Sequence, residues 1–131
     1  MRSLLRLVKR RRYRSITECE SGIYPGVTFA IRKMSFGRRL ELAERIRALG
    51  AALEFREAGA ELRDRVEASV IASHIDRAYL DWGLVDVRGM AIDGAPATPE
   101  SLIGAGPEDL TREVLARIKT ECGLSAEERK N

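Results

Sequence analysis

The residue types that carry most enzyme chemistry are scarce in this sequence. One histidine (His74), one tryptophan (Trp82) and two cysteines occur in 131 residues, and aromatic residues amount to 5%. Cys19 and Cys122 have no C-x-x-C companion, which argues against a zinc ribbon and a secreted disulfide framework. Two reduced thiols are the expected state, with a single Cys19–Cys122 bridge as the alternative. No apolar run approaches the ~18 residues of a membrane span. With so few rings, the core must be built from Leu, Ile, Val and Ala, which suits helix packing.

Also missing is any acid in residues 1–14, which carry seven basic groups: Arg2, Arg6, Lys9, Arg10, Arg11, Arg12 and Arg14. The formal net charge of +3 therefore describes a tail, and Ser15–Asn131 alone is mildly acidic at −4. The early apolar residues Leu4, Leu5, Leu7 and Val8 are broken by Arg6 and followed by the basic cluster, the wrong order for a secretory signal. An apolar fraction of 44% with 33% charged residues fits one soluble domain able to bury its own core. The expected organisation is a basic N-terminal tail over residues 1–22 and a single mostly helical domain over 23–131.

Taken in order, the domain opens on a turn at Tyr24-Pro25-Gly26, where Pro sets φ and Gly accepts a positive φ. Val27–Met34 alternates as a strand, with Val27, Phe29 and Ile31 on one face. Its partner is expected in Leu4–Val8, Ser15–Thr17 or the 84–92 region. Ser35 caps a helix running to about Glu57, with Leu42, Ile46, Leu49 and Leu53 on one stripe. Gly59 is expected as its C′ residue or as a break. A second helix is expected from about Ala60 to Trp82, with Leu62, Val66, Val70, Ile75, Ala78, Tyr79 and Trp82 supplying its apolar face. Gly83 stops it, and it should pack antiparallel on the first helix.

Beyond Gly83 the residues 84–92 look extended, with Gly89 as a bulge or turn. Asp93-Gly94 is a turn pair. Thr98-Pro99-Glu100 begins a short helix ending by Gly104, with Thr as N-cap and Pro at the first helical position. A further helix starts after Gly106-Pro107, carries Leu110, Val114, Leu115 and Ile118, and stops at Gly123. Ser125–Glu128 matches a capping box. The expected fold class is mainly α with a small β element: an antiparallel long-helix pair, a short strand or hairpin, and short C-terminal helices.

No catalytic, cofactor or metal constellation emerges. On a helix His74 has Val70, Ile71, Arg77 and Ala78 as neighbours while Asp76 points elsewhere, so a partly buried structural role is expected. Gly104-Ala105-Gly106-Pro107 lacks both phosphate-loop spacings and reads as helix punctuation. Asp86 and Asp93 fall short of the six to eight oxygens calcium takes, and read as turn acids. The basic tail would attract nucleic-acid phosphates in a salt-dependent way, but Tyr13 alone makes no stacking platform. Trp82 reads as a core plug. On the alternative reading Tyr79, Trp82, Leu84 and Met90 form one partner-binding patch, since interfaces are enriched in Trp, Tyr and Met.

The segments YPGVTFAIRKMSF, AYLDWGLVDVRGMAIDG and GPEDLTREVLARIKTECGLSAEERKN, in this order and joined by a P-E-S-L turn, resemble the small tail assembly chaperones of tailed phages and prophages. The likeness covers roughly residues 23–131, and the basic tail departs from it. It implies a non-enzymatic, cytoplasmic protein of the bacterial host cell, without cofactor or metal. Its implied partners are the long helical tape measure protein and tail tube subunits. A homo-oligomer is compatible with this role. The alternative is a small nucleic-acid-binding or regulatory protein working through its basic N-terminal arm. Neither reading places the chain in a membrane.

Overall fold

The computed structural model describes residues 9–123. Two strands open the chain, β1 (Ile16–Glu20) and β2 (Thr28–Arg32), followed by two long helices, α1 (Phe36–Glu57) and α2 (Leu62–Gly83). Strands β3 (Leu84–Arg88), β4 (Ala91–Ile92) and β5 (Ala95–Pro96) come next, then helices α3 (Pro99–Ala105) and α4 (Glu108–Glu121). The class is α+β, with a long antiparallel helix pair beside a small antiparallel sheet.

The sheet order is β1-β2-β3, so both later candidate partners flank the same central strand. The third, Leu4–Val8, lies outside the described residues, as does the capping box at Ser125–Glu128. Cys19 pairs with Phe29, and Phe29 pairs in turn with Val87. All three side chains are buried, which fixes the register because a one-residue slip would turn them outward. The expected tail of residues 1–22 is therefore corrected: Ile16–Glu20 belongs to the sheet, held by backbone pairing with β2 and by Cys19 buried on the core face.

Local chemistry sets the turns. Val27 N–H donates to Tyr24 O at 3.1 Å across Pro25-Gly26, and Gly26 has φ +83°, the geometry of a type II turn. Asp93 and Gly94 have φ of 51° and 82°, as the two-residue β4–β5 hairpin demands. Ser35 Oγ accepts from Arg38 N–H at 3.1 Å and starts α1. Thr98 and Ser101 cap α3 reciprocally, and Gly123, at φ +80°, ends α4. Gly59 is not in the left-handed region expected of a C′ residue. Instead it lies close against the Asp64 side chain, which also accepts from Arg56 Nη1 at 3.0 Å across the helix–helix turn.

The core sits at the open end of the helix pair. Leu102, Leu110, Val114 and Ile118 are fully buried against Phe29, Ile31, Trp82 and Val87. Each such side chain contributes roughly 1.5–3 kcal/mol. Leu42 is the one buried residue of α1 in this core, with Ile46 packed partly buried against it; Tyr79, Leu80, Trp82 and Gly83 are buried at the end of α2, with Ile75 packed against them. Between Leu42 and Tyr79 no residue is buried, and Ile46, Leu49 and Leu53 are only half covered by α2. The far part of the hairpin is thus an arm, packed on itself and on no other element among the described residues.

Candidate helix-binding face

The patch expected from Tyr79, Trp82, Leu84 and Met90 does not exist as a surface. Tyr79, Trp82 and Leu84 are 9%, 2% and 6% exposed and belong to the core, while Met90 packs half-buried against it. They lie where α2 meets the sheet and α4, so folding consumes their apolar area. His74, expected to be partly buried, is instead exposed on α2. Asp86 sits within β3, not in a loop, and accepts from Arg88 Nε at 2.8 Å. Gly106 N–H donates to Leu102 O at 3.0 Å, closing α3 as helix punctuation. Among the described residues no three His, Cys, Asp or Glu side chains gather as a metal site. Cys19 and Cys122 are free thiols, both buried.

Exposed apolar side chains lie elsewhere, on the arm. On α2, Leu62, Val66 and Val70 are 71%, 54% and 46% exposed, and Phe55 is exposed at the end of α1; Phe36 and Leu40 are exposed at the base of α1, outside the arm. The α2 residues follow an i, i+4, i+8 spacing and form one outward stripe. Periodicity alone predicts these three on the face that packs on α1. The inward face actually carries Ile75, Tyr79 and Trp82, and the sequence held a signal for the difference. The step from Val70 to Ile75 is five residues, a rotation of about 140° rather than the near-closure of three or four. The helix therefore has two apolar faces, one inward near its end and one outward along the arm.

Continued down the helix, the outward stripe passes Ser73 and Arg77 and reaches Leu80. There it enters a groove of about 340 Å³ between α2 and the C-terminal helices, lined by Ser73, Arg77, Leu80, Ile103 and Leu115. A neighbouring depression shares Arg77, Leu80 and Ile103 and extends it toward Leu84 and Pro99. Exposed ion pairs border the track: Arg77 with Asp81 at 3.1 Å, and Arg112 with Glu108 at 2.8 Å. Such pairs stabilise little by themselves and exchange partners at small cost. From Leu62 to Leu80 the track is about 27 Å long at 1.5 Å per residue. Its chemistry is that of a helix-accepting surface: apolar anchors at helical spacing, a concave end and a charged rim.

A second surface is electrostatic. Lys9, Arg10, Arg11, Arg12 and Arg14 are all exposed ahead of β1, and Lys33 Nζ lies 5.0 Å from the centre of the Tyr13 ring. No helix among the described residues is long and apolar enough to cross a membrane. Comparison with protein-family models, with curated proteins and with solved structures finds no match.

Proposed function

We propose that this protein is a non-enzymatic assembly chaperone of the phage or prophage tail type, acting in the bacterial cytoplasm. Its arm holds an amphipathic helix of the tape measure protein, keeping that helix soluble until tail tube subunits are recruited. One observation carries the reading: an uncovered apolar stripe on a projecting hairpin runs into a groove at its base. A partner helix presenting apolar residues at i, i+3, i+4 and i+7 would bury that stripe. The sequence likeness over residues 23–131 supplies the identity of the helix. Co-expression with a tape measure fragment tests the proposal. The fragment is expected to co-purify with the wild type and to be lost from a Val66→Glu/Val70→Glu variant whose circular dichroism is unchanged. Failure of the wild type to retain the fragment overturns it.

The exposed run Lys9–Arg14 favours a second reading, salt-sensitive binding to nucleic-acid phosphates. Deleting residues 1–14 should abolish duplex binding, and unchanged binding after deletion removes this reading.

A further inference from the structure

We infer that two copies of this chain pair through their arms, antiparallel, with the tip of each arm seated in the groove of the other. A projection and a receptacle lie on one track. Phe55 and Leu62 stand 72% and 71% exposed at the tip, and the groove at the base is floored by Leu80, Ile103 and Leu115. Because both ends belong to the same outward stripe of α2, a two-fold axis midway along it, beside Ser69 and Ser73, places Leu62 of one copy on Leu80 of the other, and the reverse. This is the reciprocity an isologous interface requires. Small side chains at Ser69 and Ser73 lie near the crossing, where two helices must approach closely.

Charge selects the same register. The first turns of α2 carry Arg63, Arg65 and Glu67, and its last turns carry Asp76, Arg77 and Asp81. Antiparallel pairing about this axis brings Arg63 beside Asp81 and Glu67 beside Arg77 of the second copy, each contact made twice. A parallel arrangement would set Arg63 on Arg63 and Asp81 on Asp81, like against like. The in-chain partners of Arg63, Arg77 and Asp81 are exposed and exchangeable: Glu61 for Arg63 at 3.6 Å, and Arg77 and Asp81 for each other at 3.1 Å.

Area supports using both ends. The helix seam alone, about 27 Å by about 10 Å on each copy, falls short of the ~1,200 Å² total typical of the smallest stable interfaces. Two tips seated in two grooves add to it. Pairing of this kind covers the apolar stripe whenever no helical partner is bound.

The full chain alone, measured by light scattering across a concentration series, tests the inference. No tape measure is present, so the result is independent of the chaperone reading. A dimer at high micromolar concentration is expected, dissociated by Leu62→Arg with circular dichroism unchanged. Arg63→Asp and Asp81→Arg should each weaken the dimer several-fold, and the double variant should recover it. Arg63 and Asp81 are about 27 Å apart within one copy, so recovery reports contact between copies. A monomer at every concentration, a dimer indifferent to Leu62→Arg, or a double variant no tighter than the singles overturns the inference.

Discussion

Lys119 Nζ on α4 donates to Asp76 Oδ1 on α2 at 2.8 Å, while lying 5.5 Å from the centre of the Tyr79 ring. The lysine is 5% exposed, the only charged residue buried among the described ones, and the link joins the root of the arm to the C-terminal helix. Its side chain enters the core by its methylene stem, and its nitrogen meets one carboxylate and one aromatic face.

Removing Asp76 should therefore cost more than removing Lys119. Asp76→Ala leaves a buried cation without its acid, and about 1–3 kcal/mol is expected. This lies below the fully buried case because the Asp76 side chain is 30% exposed. Lys119→Met keeps the stem and removes the charge, and should be milder or neutral. Urea denaturation of the two variants checks the order, and a costlier Lys119→Met contradicts it.

The arm and the core should respond oppositely to truncation. Leu102 is fully buried, so Leu102→Ala is expected to cost about 2–5 kcal/mol through lost burial and a cavity. Val66 is 54% exposed on the arm, and Val66→Ala should stay within about 0.5 kcal/mol. Thermal midpoints of the two variants separate the cases directly. At low concentration, where copies do not pair, a large loss at Val66 would mean that the stripe is already covered within one copy.

Alkaline pH should destabilise the fold partly through Cys122. Burial pushes its thiol up to about 11 from 9.0; the nearby Arg39 opposes this and Glu121 adds to it. The fold favours the neutral thiol, so its contribution is fully present below pH 9.0 and is lost as pH rises toward about 11. Melting temperatures of wild type and Cys122→Ala across that window measure the difference, with the wild type expected to fall more steeply. The same burial predicts slow reaction of Cys122 with thiol reagents until the protein unfolds.

Punctuation was the most legible part of the sequence. Ser35, Thr98-Pro99, Asp93-Gly94, Tyr24-Pro25-Gly26 and Gly123 each act through their own backbone or first-turn chemistry, so their structural places follow from residues within four positions. The helix pair was legible for the same reason, since its stripe Leu42, Ile46, Leu49 and Leu53 repeats at the helical period. Strand β1 was harder: of Ile16–Glu20 only Thr17 and Cys19 share the core face, only Cys19 is buried, and the segment follows directly on the basic run.

The sequence by itself determined the α+β class, the two long helices, the turns between them and the acidic body behind a basic start. These depend on local propensity and on periodicity, which are properties of short segments. Only the tertiary structure decided which apolar residues would be hidden. Tyr79, Trp82 and Leu84 are core because α4 and the sheet close over that end of α2. Leu62, Val66 and Val70, equally apolar and on the same helix, are exposed because nothing in the described chain reaches the arm. Burial depends on which elements meet, and the candidate face of this protein is what that meeting leaves uncovered.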